Sequence, residues 1–156
     1  MKPVQQWLNE YAESHQHPTN VKIHWACVPL IMLSIIGLLS TIKLKFNLFL
    51  NFSEINHAGT LLIVCGCVYY YFLSKKLLLG MIPISCMMLV MVDWLSMFNY
   101  PLWRISLFIF ILSWVAQFYG HRIEGRKPSF LKDVQFLLIG PIWLLSKLYK
   151  KFGIQY

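Results

Sequence analysis

Residues 25–43 read WACVPLIMLSIIGLLSTIK, with no charged side chain before Lys43. Three comparable runs follow at 58–74, 77–99 and 102–119. Each comes near the ~20 apolar residues that carry an α-helix across a ~30 Å hydrocarbon layer. The pattern predicts four transmembrane helices. The second run is short and is expected to tilt or sink, and Pro83 is expected to kink the third. Ahead of them, Val4, Trp7, Leu8 and Tyr11 fall at helical spacing within 3–14. That predicts an amphipathic helix lying on the membrane, with Trp7 and Tyr11 suited to its interface. A fifth apolar stretch, 134–149, is short and interrupted by Gly140-Pro141. A Gly-Pro pair ends or sharply bends a helix, so the expectation is a re-entrant or interfacial helix pair broken there. The predicted fold class is an all-α integral membrane protein, a single domain over 1–156.

Composition supports this reading. Of 156 residues, 58% are hydrophobic and 13% charged, with a mean hydropathy of +0.57. Soluble domains carry about 25% charged residues, so little polar surface exists to coat a globule. The net charge is +8, but removing the spans leaves no basic, base-stacking surface, and nucleic acid is excluded as a partner. The basic residues instead report orientation. With four crossings, eleven Lys and Arg lie on the side of the two termini and three, Lys43, Lys45 and Arg104, on the other. The positive-inside rule then makes both termini cytoplasmic. A fifth crossing would leave eight against six and weaken the bias. The four cysteines, Cys27, Cys65, Cys67 and Cys86, sit in apolar runs and imply neither a disulfide framework nor a metal site. No cleavable leader is expected, and the first span serves as its own targeting signal.

The chemistry gathers at one edge of this pattern. Three of five histidines fall in SHQHPTNVKIH, residues 14–24, and a fourth, His121, follows the fourth span in GHRIE. An even number of crossings places His15, His17, His24 and His121 on one face, and His57 on the other. Converging neutral imidazoles suit Fe, Zn or Cu. Pro18 disfavours helix just before it, so a turn there can fold His15 over His24. Asn20 is expected to cap the helix entering the first span and to fix His24. His121 and Glu124 share a helical face, so Glu124 is either a ligand or an orienting acceptor. Glu10 and Glu13 are further carboxylate candidates. The bland alternative is an amphipathic surface residue, the preferred reading for His17 and His57. Asp93, deep in the third run, reads best as a structural partner of Arg104, and the Tyr69–Tyr71 and Trp94–Trp103 clusters as aromatic belts. No nucleophile motif or phosphate loop is present.

The chain resembles the Mpo1-like family. One motif runs through Tyr11, His15, Asn20 and His24 into Val28-Pro29. A second runs through Trp114, Gln117, Phe118, Gly120, His121, Glu124 and Pro128-Ser129, and Gly140-Pro141 closes the pattern. The resemblance implies an Fe(II)-dependent membrane dioxygenase that shortens 2-hydroxy fatty acids by one carbon. It implies iron on His15, His24 and His121, with Glu124 either completing the ligand set or orienting His121, and supporting roles for Tyr11, Asn20 and Gln117. Where a member of the family has a histidine directly after the first, this chain has Gln16 with His17 displaced by one, and the resemblance carries no ligand role onto His17. The implied partners are O₂, a 2-hydroxy fatty acid or related lipid, and membrane lipids. Lys22, Arg122 or Arg126 is expected to pair with the substrate carboxylate. The expected location is the bacterial inner membrane, or the endoplasmic reticulum in a eukaryote. Two other readings stand beside this one: a non-catalytic lipid-binding membrane protein, and a Zn-dependent lipid hydrolase.

Overall fold

The computed structural model describes residues 3–44, 56–125 and 136–156. These residues form six helices: α1 (Val4–Ala12), α2 (Pro18–Ser40), α3 (Ala58–Leu73), α4 (Lys75–Ser96), α5 (Leu102–Ile123) and α6 (Ile139–Lys151). The apolar runs become α2 to α5. Pro29 and Pro83 lie inside continuous helices.

Successive long helices run antiparallel, and small residues set their approach. Gly120 of α5 faces Asn20 near the start of α2, and Gly37 near the end of α2 faces Ser106 near the start of α5; a Cβ on either glycine would strike that partner. Gly59 at the start of α3 likewise lies against Ser40 and Ile36 at the end of α2. A single extended residue, Ser74, reverses the chain between α3 and α4, and its hydroxyl accepts the Leu77 N–H. Met88 and Val92 of α4 then pack beside Leu33 and Ile36 of α2.

By length and apolarity, α2, α4 and α5 can each cross a membrane. The sixteen residues of α3 rise only about 24 Å, short of a ~30 Å core. α5 is inside-out by the standards of a soluble protein. It buries Ser106, Ser113, Gln117, Gly120 and His121, while Phe108 is 68% exposed and Val115 59% exposed. Such a surface is stable against lipid and costly in water.

Three expectations change here. The apolar face of α1 is spent on protein rather than on the bilayer surface: Leu8 and Tyr11 are buried in a cluster with Ile139, Ile142 and Trp143 of α6. The sequence moment is real, but it has another helix as its partner. Gly140-Pro141 is not the joint of a helix pair. Pro141 is the third residue of one helix, where a missing N–H leaves nothing unpaired. Every residue from Ile139 to Ser146 is buried, so α6 plugs the bundle against α1, α2 and α4; Phe136–Leu138 form a turn before it, and 126–135 lie outside the described residues. Asp93 and Arg104 do not pair. Arg104 lies over the Trp103 ring, 5.2 Å from its centroid, and Asp93 borders a cavity with Lys43 and His57.

Candidate metal centre

The centre is built where α1, α2, α5 and α6 converge. His15 follows α1, His24 lies two turns into α2, and His121 lies in the last turn of α5. All three are buried, at 7%, 1% and 6% exposure. Their ring centroids stand 4.2, 5.2 and 5.0 Å apart, and one nitrogen from each lies within 4.8 Å of the others. Among the described residues, these three form the only such group of possible ligands.

Backbone carbonyls orient two of the rings. His15 Nδ1 is 2.6 Å from the Tyr11 carbonyl and His24 Nδ1 is 3.0 Å from the Asn20 carbonyl. A carbonyl only accepts, so each Nδ1 carries the proton and donates it, and each Nε2 keeps its lone pair. The Nε2 of His15 is buried with no hydrogen-bond partner. An orphaned acceptor beside two other imidazoles is what a divalent metal would satisfy, and an all-nitrogen set fits Fe(II) or Zn(II). Burial pushes the His15 imidazole down to about 4; the Tyr11 carbonyl opposes this, and the nearby His121 and Lys147 add to it. His15 is therefore neutral near pH 7, the form that ligates. Tyr11 stacks on it at 4.1 Å and 9°, and Trp143 lies 5.4 Å away, tilted by 51°.

Glu124 stands outside the nitrogen cluster. It accepts the Gln16 N–H at 2.9 Å, the His17 N–H at 2.9 Å and Asn20 Nδ2 at 2.9 Å. Burial would raise its carboxyl, but these donors outweigh that and hold it below the usual range. The carboxylate thus ties the end of α5 to the turn entering α2. Asn20 does not cap that helix. It lies inside α2, fully buried, with Nδ2 also reaching the Ser14 carbonyl at 3.2 Å. The cap is His17, whose Nδ1 accepts the Thr19 N–H at 3.2 Å with Pro18 as the first helical residue. His17 is exposed, but His57 is not a surface residue. It is 6% exposed and caps α3 through Thr60, about 24 Å of α2 away from His24.

A cavity of about 30 Å³ opens at the histidines, walled by Tyr11, Gln117, Val28, Ile31, Trp114 and Phe136 among others. Tyr11 and Gln117 were expected there. Lys22 and Arg122 are exposed and line no part of it; Arg126, like Pro128-Ser129, lies outside the described residues. Glu13 is exposed, and neither it nor Glu10 joins the cluster. Lys147 is a cation that sequence reasoning passed over. Its Nζ sits 3.9 Å from the Trp143 centroid, and burial, then Lys150, lowers its ammonium. The i, i+4 spacing of Trp143 and Lys147 on α6 was the available signal.

Comparison with known proteins agrees with the motifs. The family model described as "2-hydroxy-palmitic acid dioxygenase Mpo1-like" matches residues 1–152. The 2-hydroxy-palmitic acid dioxygenase MPO1 of Saccharomyces cerevisiae is 27% identical over 148 residues, covering 94% of this chain and 79% of that protein. No solved structure matches the chain. With the match running almost from end to end and through all three clustered histidines, the chain belongs to the Mpo1-like family.

Proposed function

We propose that this protein is a membrane-embedded, Fe(II)-dependent dioxygenase that shortens 2-hydroxy fatty acids by one carbon, with the metal on His15, His24 and His121. The observation that carries this is the buried triangle of imidazoles, with one donor atom from each within 4.8 Å of the others, in a chain of this family. Iron is preferred to zinc because oxygen chemistry needs a metal that exchanges electrons, and Zn(II) does not.

Bound iron would supply O₂ activation and a seat for the substrate's carboxylate and hydroxyl oxygens. The chain supplies the rest. The carbonyls of Tyr11 and Asn20 hold each Nδ1 proton so that Nε2 faces inward. Trp114, Val28, Ile31 and Phe136 give an apolar wall against the first carbons of the tail and exclude water from the head. Gln117, buried at 8% exposure, is the uncharged polar side chain of that wall and is placed to hydrogen-bond the substrate head. Glu124 acts as a strap that keeps His15 and His24 in register with His121.

The antiparallel order of α2 to α5 supports four crossings, with α3 accommodated by local bilayer thinning. The excess of basic residues beside the termini supports a cytoplasmic site. The test is oxygen consumption by protein reconstituted anaerobically with Fe(II) and then given 2-hydroxypalmitate. The expected result is O₂ uptake with an acyl product one carbon shorter. Hydrolysis without O₂ uptake would make it a hydrolase, and failure to retain any transition metal would make it a non-catalytic lipid binder.

A further inference from the structure

Leu137 lines the cavity at the histidines and also a second one of about 50 Å³, lined by α2, α3 and α4. The two follow each other along α2. Val28 and Ile31 border the first, and Met32, Ile35 and Ile36 the second, so the second lies roughly 12–18 Å of helix from His24. Its walls are apolar apart from Ser85, Cys67 and the Tyr70 hydroxyl, and that hydroxyl is already spent on the Leu138 carbonyl at 2.7 Å.

Gly66 makes the space. It is buried in the middle of α3, yet a Cβ there would meet nothing within 4 Å. Glycine is the least favourable residue after proline in a helix interior, so a helical glycine calls for a reason. Gly37, Gly59, Gly80, Gly120 and Gly140 have one, a neighbour that a Cβ would strike or crowd. Gly66 has none among the described residues. Protein interiors close their voids, so a helix-weakening residue beside an open apolar space marks room for an occupant. That occupant must be apolar and thin, and it must reach the head cavity past Leu137. The backbone at Leu138 is pinned by Tyr70, so the partition moves by the Leu137 side chain alone.

We propose that the cavity at Gly66 seats the distal part of the substrate's acyl tail, with Leu137 the partition it passes and residue 66 the limit on chain length. This rests on the reading of the protein as a 2-hydroxy fatty acid enzyme. The test compares wild type, Gly66→Ala and Gly66→Phe across short-chain and long-chain 2-hydroxy fatty acids. Gly66→Phe should weaken long-chain substrates by about tenfold or more, the equivalent of two methylenes denied burial, and leave short-chain turnover near wild type. Gly66→Ala should shift the preference partway and raise the melting temperature. A uniform loss across chain lengths, or no change, overturns the proposal. If the wild type turns nothing over, a long-chain fatty acid with a terminal photoreactive group decides the matter separately. Crosslinks on 62–70 that disappear in Gly66→Phe uphold the tail seat without the reaction. Crosslinks elsewhere, or crosslinks on 62–70 that survive the substitution as a bilayer lipid's would, overturn it.

Discussion

Three imidazoles, a carboxylate and an asparagine make up the proposed centre and the contacts that hold it. His24→Ala and His121→Ala should each abolish metal retention, measured by elemental analysis, and turnover with it. His57→Ala should do neither, at a cost of about 1 kcal/mol for a lost helix cap. Glu124→Gln keeps the shape but turns an amide toward donors that need acceptors. Metal affinity should fall about 10–100-fold, measured by competition with a chelator, while expression persists. Acid should act on the same residues. His15 stays neutral in the fold down to about 4 while the unfolded chain takes up its proton near 6.5; stability is therefore lost as pH falls across that window. The Glu124 carboxyl, held low, adds a loss of the same sign below about 4.5. Melting of metal-free protein against pH should fall through both windows, and Glu124→Gln should remove only the lower one. The meeting of His15, His24 and His121 was legible in the sequence, because their residue types and an even count of apolar runs between them point to one place. Their division of labour was not. A capping residue is recognised by the backbone it faces, and only the fold shows that His17 caps α2 while Asn20 reaches back to Ser14 and across to Glu124.

At the scale of elements, hydrophobic run length was a sound guide to α2, α4 and α5, because an apolar helix wider than one stripe has few other uses. It was a poor guide to α1 and α6. An amphipathic face reads the same whether lipid or protein covers it, and here Leu8, Tyr11 and Trp143 cover one another. Gly140-Pro141 misled for a related reason: the dipeptide ends one helix or begins another, and the difference lies in residues that follow. The α2–α5 seam depends on small residues at both ends. Gly120→Ala would drive a methyl into Asn20 Oδ1. Overpacking of this kind costs about 1–3 kcal/mol, so thermal melting in detergent should fall by several degrees and metal affinity should fall with it.

For the whole molecule, the decisive measurement is sidedness. In a background without native cysteines, a membrane-impermeant thiol reagent should label a cysteine at Asn99, between α4 and α5, from outside the cell. A cysteine at Gln155, whose carbonyl accepts from Lys76 Nζ at 3.0 Å, should react only after permeabilisation. Labelling of both from the same side would remove the antiparallel path on which the site depends. The separation of the three clustered imidazoles along the chain, at 15, 24 and 121, also orders events during biosynthesis. While the ribosome is still making the early helices, the nascent protein offers His15 and His24 but not His121. On the proposed reading, all three imidazoles would be available to a metal only after α5 has been made and threaded.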